Sequence, residues 1–429
     1  MKPSVVNKHP AAFMLRAFSS RNYRLFFCGQ IVSLSGSWIT TTATAWLVYR
    51  LTGSAFLLGL VGFSTQLPAL LLLPFAGYVV DRKNRHRILL LTQTLSMLQS
   101  FALAALTLTH QINVPWLLAL CAFQGMINAF DMPCRQAFIV ELVENKTDLG
   151  NAIALNSSMF NAARLAGPAI GGLIITTVGE GWCFLIDGVS YGAVIAALTA
   201  MRLKPRAIPP KTGSFPAHFG EGWKYAIASK PILSIISLLA LMNLFGVSYT
   251  VLLPVFAGSV LKGGPHTLGF LMSAIGAGAL LGALWLASRQ SVLGLGRVIA
   301  FASAVFGTAL ITFSLSKILW LSLVILVAGG AGVMLQMASC NTILQTIVDD
   351  DKRGRIMSLY VMAVVGTAPF GSLLAGFLSD RIGAPNALFF CGVICLSGAF
   401  WFYRQLPGIR KVVRPIYANL GIIPAEVTA

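Results

Sequence analysis

The chain has 429 residues, of which 56% are apolar and 10% charged, with a formal net charge of +18. A soluble domain is about 25% charged, so this chain cannot cover a water-facing globule of its length, and its apolar content excludes disorder and collagen. Apolar runs of about 20 residues recur from end to end, which predicts an all-α polytopic membrane protein; a transmembrane barrel would show short alternating segments instead.

In chain order, residues 1–22 are polar and basic, lack a continuous apolar core, and are expected to form a cytoplasmic tail rather than a cleaved signal. Twelve spans are then predicted, at about 23–49, 55–80, 88–109, 114–138, 152–178, 182–201, 231–258, 266–288, 297–316, 318–347, 355–379 and 385–404. Several exceed the length needed to cross the bilayer, so tilt or extension past the interface is expected. The basic residues support the count. If the spans alternate from a cytoplasmic start, every Lys and Arg lies on the cytoplasmic side except Arg50, Lys262, Lys317 and Arg381, with Arg164 inside a span. Both termini are therefore expected in the cytoplasm.

The middle of the chain divides it. Residues 202–218, RLKPRAIPPKTGSFPAH, are rich in proline and basic residues and cannot span. Phe219, Trp223 and Ile227 follow at helical spacing, which predicts a short helix lying on the membrane surface. The expected organisation is a six-helix bundle over 23–201, a cytoplasmic linker over 202–230, a second six-helix bundle over 231–404 and a tail over 405–429. The halves echo each other: ENKTDLGNAIALNSSMFNAARLAGPAIGG opens the fifth span and DDDKRGRIMSLYVMAVVGTAPFGSLLAG the eleventh. Two bundles related by a parallel repeat are a transporter architecture, with the site between them near the midplane.

Other classes fit poorly. The seven cysteines include no CxxC pair, and the five histidines lie in loops or the tail, so no metal or cofactor is expected and the chain is not read as an enzyme. No Walker loop is present, since Gly294-Leu295-Gly296-Arg297 is too short and lacks the lysine. The positive charge is read as topology, not nucleic-acid binding. The expected partners are a small molecule, a proton or other coupling ion, and the lipid bilayer, with the chain acting as a monomer.

The second span ends in Gly77-Tyr-Val-Val-Asp81-Arg82-Lys83-Asn84-Arg85-His86-Arg87. Gly77 is expected to let two helices approach closely, and the Asp81 carboxylate to meet the positive N-terminus of a neighbouring helix. Arg82, Arg85 and Arg87 are suited to acidic helix ends or anionic headgroups. This segment resembles the signature G-x-x-x-D-R-x-G-R-[KR] of the major facilitator superfamily, with Asn84 in place of glycine and His86 in place of Lys or Arg. The resemblance implies a cytoplasmic gate latch that closes in one state and breaks in the other.

The fifth span carries Gly167-Pro168-Ala169-Ile170-Gly171-Gly172, where a proline frees a carbonyl and glycines permit bending and close packing. It resembles the antiporter motif of the same superfamily, which implies export. The segment from Asp131 through Phe138 with Glu141, together with RGRIMSLY (353–360) and NYRLFFCGQ (22–30), is similar to the branch holding macrolide-efflux and enterobactin-export proteins. One departure stands out. Many proton antiporters of the superfamily place an arginine three residues before a Gln-Gly pair; here Gln124-Gly125 is preceded by Cys121.

Charges inside a membrane are functional candidates. Asp131, Arg135, Arg164 and Asp187 lie within spans or near their ends, all in the first half. Similar depth makes an Arg164–Asp187 pair the expected arrangement, with Asp187, or second Asp131, as the protonation site; Asp131 and Arg135 are alternatively a structural cluster tied to Arg85. In the fourth span, Cys121, Gln124, Asn128, Asp131 and Arg135 form one polar stripe, and in the first span Gln30, Ser33, Ser37, Thr41 and Thr44 form another. The family resemblance implies that both line the central cavity. The second half offers Asn243, Thr250, Gln336, Ser339 and Asn341, with Trp38, Phe123, Phe245, Tyr249, Met334, Met337 and Met362 as an adaptable apolar wall. Together these readings predict a proton-coupled exporter of an amphipathic drug or siderophore in the bacterial cytoplasmic (inner) membrane. An uptake carrier of the same fold, or a non-transporting membrane sensor, is the alternative.

Overall fold

A backbone immersed in hydrocarbon must satisfy its own N–H and C=O groups, and a single chain segment does so as a helix. The computed structural model describes residues 16–143, 146–202, 225–227, 229–289 and 291–424, and helices dominate it. The first six long ones are α1 (Arg21–Thr52), α2 (Ala55–Arg82), α3 (Arg85–Leu108), α4 (Val114–Leu142), α5 (Leu149–Val178) and α6 (Glu180–Thr199). They are followed by α7 (Lys230–Val260), α8 (Pro265–Ala287), α9 (Leu295–Leu315) and α10 (Leu319–Ile347). The last two are α11 (Asp351–Ile382) and α12 (Ala384–Asn419). The predicted surface helix lies mostly outside the described residues.

Among the described residues, ten helices are long and apolar enough to cross a membrane. Helices α1 and α5 are not among them, although their 32 and 30 residues at 1.5 Å each reach about 45 Å or more. Both carry many polar residues. Helix α1 carries Gln30, Ser33, Ser35, Ser37 and Thr40 to Thr42, and α5 carries Asn151, Asn156, Ser157, Ser158, Asn161 and Arg164.

Local sequence explains several helix ends. The Asn84 side chain accepts from the Arg87 N–H at 3.2 Å and caps α3. Asn113 accepts from the Trp116 N–H at 3.0 Å and caps α4, with Pro115 in its first turn. Two junctions turn on one glycine each: Gly179 (φ 92°) between α5 and α6, and Gly383 (φ 85°) between α11 and α12. Only glycine adopts these angles without strain, and the matching junctions continue the echo between the two halves.

The chain forms two compact units: Met1–Ala43 with Leu71–Pro210, and Thr44–Leu70 with Lys211–Ala429. In this division the end of α1 and the start of α2 group with the second unit. Within the first unit, α3 packs against both α4 and α6. Tyr23, Phe26, Leu89, Phe138 and Leu198 are in its buried cluster. Within the second, α9 lies against α10 and α12, and α8 against α10. At the α8–α10 crossing, a Cβ on Gly278 would overlap the Val327 carbonyl, and one on Gly330 the Ile275 carbonyl. Small residues allow that approach where no hydrophobic force drives helices together. Gly278→Val is therefore expected to cost about 1–3 kcal/mol, read as a lower unfolding temperature of the purified protein in detergent.

Three expectations need correction. Helix α12 does not stop near residue 404: it runs to Asn419 through Pro407 and Pro415, with Leu406, Ile409, Val413 and Tyr417 buried along one face. Helix α7 is not regular. After Leu241 it passes through π turns at Met242–Gly246 and Phe256–Val260 and a 3-10 stretch at Val247–Leu252. Pro254 lies in this region and has no N–H to donate. Finally, the Gly/Pro segments of the two halves differ in shape: α5 stays helical through Pro168, whereas α11 breaks at Gly366-Thr367, just before Pro369.

Candidate functional site

Two carboxylates are the most deeply enclosed acidic groups described in the first unit. Asp131 on α4 is 3% exposed and Asp187 on α6 is 1% exposed. Asp131 pairs with Arg135, one turn along the same helix. Its Oδ1 also accepts from Thr92 Oγ1 at 2.9 Å and Gln93 Nε2 at 2.7 Å, both from α3. Asp187 accepts from Ser100 Oγ of α3 at 2.9 Å and from Ser190 Oγ at 3.4 Å. The expected Arg164–Asp187 pair is not made; hydroxyls hold this carboxylate. Equal depth along two helices says nothing about which way each side chain faces, and Asp187 faces α3 and α1. A Cβ on Gly36 of α1 would come within 2.7 Å of Asp187 Oδ1, so only glycine leaves room for the carboxylate there.

Helix α3 supplies what the sequence reading missed. Thr92, Gln93, Ser96, Gln99 and Ser100 are all buried. Thr92 and Ser100 stand about 12 Å apart along the helix, one at each carboxylate. Between them, Ser96 Oγ accepts from Gln124 Nε2 at 3.2 Å, and Gln124 also donates to Asn128 Oδ1 at 3.0 Å. Gln99 Nε2 donates to the Leu120 carbonyl at 3.3 Å. The polar stripe of α4 thus meets a second stripe on α3. Its signal was the recurrence of polar residues at helical spacing in an otherwise apolar run.

The α1 stripe is divided. Gln30 and Ser33 are buried, Ser37 is half-buried and Thr41 is exposed. Ser37 Oγ lies 3.2 Å from Tyr191 Oη, and Thr41 Oγ1 donates to the Ser37 carbonyl at 2.8 Å. Trp38 stacks edge-on with Phe160 at 6.0 Å and covers Gly167, where a Cβ would lie 2.5 Å from the Trp38 Cβ. Gly171 likewise faces Ile39. Gly167 and Gly171 thus pack closely against α1, in the segment that also holds Pro168 and Gly172.

In the loop between α2 and α3, Arg85 is the hub. It meets Glu141 at 2.7 Å and Asp81 at 3.6 Å, and donates to the Ala137 carbonyl at 3.3 Å. The expected tie from Arg85 to the Asp131–Arg135 cluster is replaced by these contacts. Arg82 lies over the Tyr78 ring at 4.1 Å. Asn84, which stands where the resembling signature has glycine, earns its place as the cap of α3. Gly77 departs from expectation: a Cβ there would meet nothing within 4 Å, so no close helix approach occurs at this residue.

In the second unit, Asn243, Tyr249, Gln336 and Ser339 are buried. Asn243 Nδ2 donates to the Leu239 carbonyl at 2.9 Å, and Ser248 Oγ donates to the Asn243 carbonyl at 3.1 Å, across the irregular turn of α7. Tyr249 packs on Phe306. Asn341 Oδ1 accepts from Gln345 at 2.9 Å. Among the described residues, no cluster of His, Cys, Asp and Glu is placed to hold a metal ion.

The pattern of the family described as transmembrane secretion effector matches residues 13–413. The staphyloferrin A transporter of Staphylococcus aureus is 27% identical over 387 residues, covering 89% of this chain and 96% of that one. The multidrug efflux pump Tap of Mycolicibacterium fortuitum is 26% identical over 358 residues, covering 81% and 87%. Macrolide efflux protein A of Streptococcus pyogenes is 22% identical over 392 residues, covering 88% and 95%. Among solved structures, a bacterial homolog of the human lysosomal transporter Spinster, inward-facing and unoccupied, matches with a TM-score of 0.73 at 15% identity, covering 92% of this chain and 98% of that one. The nucleoside transporter NupG, as a point mutant, matches at 0.72 and 14%, covering 90% and 98%. At these identities the two structures speak for the fold alone.

Proposed function

Because the chain belongs to the transmembrane secretion effector family of major facilitator transporters, we propose that it exports a small amphipathic organic molecule, of siderophore or drug type, from the bacterial cytoplasm in exchange for protons. The reading takes α1 and α5 as spans in addition to the ten apolar helices, with both termini cytoplasmic. It takes the two halves as six-helix bundles that open a shared pocket to either face in turn. Gln30, Ser37, Thr41, Gln124 and Asn128 then belong to the first half's share of the polar path, and Asn243, Tyr249, Gln336, Ser339 and Asn341 to the second's.

The observation that carries the coupling is two deeply buried carboxylates that each accept hydrogen bonds from polar side chains of α3. Intramembrane charge is costly unless paired or wet. Asp131 has Arg135 as its counter-ion, whereas Asp187 is held by Ser100 and Ser190. A serine hydroxyl donates to a carboxylate and, by rotating, accepts from a carboxylic acid. That shell serves Asp187 with or without its proton, which is what a coupling site requires. The efflux and siderophore relatives support export and this substrate type.

The test is uptake into inside-out vesicles with the lumen acidified, using a hydroxycarboxylate siderophore and a macrolide as probes. The expected result is accumulation of one probe, abolished by a protonophore. Accumulation driven instead by an alkaline lumen, or uptake of neither probe above protein-free vesicles, would sink the proposal.

A further inference from the structure

Helix α12 presents one outward face from the hydrocarbon to its far end. Val393, Phe400, Arg404 and Lys411 follow at steps of seven, four and seven residues, which places them within about 40° of one another around the helix. All four are exposed, as is Ser397 between the first two. The opposite face is closed: Phe402, Leu406, Ile409, Val413 and Tyr417 are buried in the core of the second unit. That burial continues across Pro407, so the outward face keeps its side beyond the proline. Val393 and Phe400 are large apolar groups that look toward acyl chains. The same face turns cationic one helical turn after Phe400.

Exposed aromatic rings mark the depth of that change. Trp401 is 41% exposed and Tyr403 61% exposed, and such rings collect at the headgroup level. Arg404 lies over the Phe400 ring at 4.8 Å. Lys411 stands farther out, but helical side chains lean toward the helix N-terminus, which here is the membrane side. A long cationic side chain reaches back to the headgroups in that way while its stem covers apolar surface. Helix α9 brings a third cation to this level. A Cβ on Gly307 would lie 2.7 Å from the Leu396 nitrogen, and one on Gly296 3.0 Å from Leu406 Cδ2. The two helices thus run side by side to this end, and Arg297, also exposed, follows Gly296. No acidic residue lies on the helices that carry these cations, since Asp and Glu are absent from 231–348 and from 384–419. Among the described residues, the ion pairs include none of Arg297, Arg404 and Lys411.

We propose that Arg297, Arg404 and Lys411 form a binding surface for the headgroups of anionic phospholipids, whose acyl chains lie along Ser397 and Phe400. Charge alone would suit any polyanion. The continuity of the cations with the lipid-facing stripe of the same helix selects the membrane. Near an anionic surface each Lys or Arg strengthens binding about fivefold, so a few such cations suffice to favour an anionic lipid over a zwitterionic one at this place. The proposal is independent of substrate, direction and coupling ion, and so is its test.

A bimane label at Ser397→Cys reports which lipid occupies this face. Cys28→Ser serves as the background, because Cys28 is exposed and the remaining cysteines are buried. The full chain is reconstituted in vesicles of phosphatidylcholine with increasing dibrominated phosphatidylglycerol, and separately with dibrominated phosphatidylcholine; bromine quenches the label when its lipid is adjacent. Phosphatidylglycerol is expected to be favoured at least about fivefold at Ser397→Cys. The preference should fall below about twofold in Arg404→Gln with Lys411→Gln. In the unsubstituted cationic surface it should fall as far in 1 M salt, where the screening length is about 3 Å. A label at Val324→Cys, exposed on α10 toward the opposite end of the second unit, should show no such preference. Equal preference at the two labels would mean that the net charge of the chain, not this surface, gathers the lipid, and would overturn the proposal. So would a preference at Ser397→Cys that is absent from the start, or one that survives both the double substitution and the salt.

Discussion

Asp187→Asn is expected to abolish proton-driven accumulation, lowering its rate at least about tenfold, or 1.4 kcal/mol or more in the barrier. Exchange of substrate across a membrane without a gradient should survive. The argument is one of isosteric replacement. Asparagine fills the space opposite Gly36, and its oxygen can still accept from Ser100 and Ser190. The helix contacts of α6 with α3 and α1 therefore remain. What is lost is the ability to hold a proton in one state and release it in another. Measuring gradient-driven uptake and equilibrium exchange in the same vesicles separates the two. If Asp187→Asn accumulates substrate as well as the wild type, Asp187 is a structural carboxylate and the coupling site lies elsewhere.

Helix positions were legible because a membrane span is written in apolar length, and the predicted segments lie on α1 to α12 with small shifts at their ends. The caps were not read from the sequence, although Asn84 and Asn113 stand directly before the helices they close. The departures have physical causes. Proline ordinarily breaks a helix interior, yet α12 continues through Pro407 and Pro415. Leu406, Ile409, Val413 and Tyr417 bury one face there, and that packing outweighs the lost backbone bonds. The turns of α7 depend on how neighbours accommodate Pro254 and Gly246, which periodicity does not encode.

The polar core shows the same limit. Asp131 and Asp187 drew attention because they are charged, but their partners on α3 are neutral and sit in an apolar run. Matching charges by depth suggested Arg164 for Asp187, whereas the rotation of each helix about its axis decided the partner.

Asp131→Ala is expected to cost about 3–5 kcal/mol of stability, because removing one member of a buried pair strands the other. The Arg135 guanidinium would lose its counter-ion, and Thr92 Oγ1 and Gln93 Nε2 would lose an acceptor. The Arg135 side chain keeps 21% of its surface exposed, so part of the charge can turn toward water, and the lower half of that range is expected. Removing both charges should cost much less. In Asp131→Asn with Arg135→Gln, the asparagine oxygen still accepts from α3 and no ion remains without a partner. Unfolding of the purified protein in detergent, followed by temperature or denaturant, gives the comparison. If the double variant is as unstable as Asp131→Ala although its asparagine still accepts from α3, the stability comes from the Asp131–Arg135 ion pair itself rather than from avoiding a stranded guanidinium.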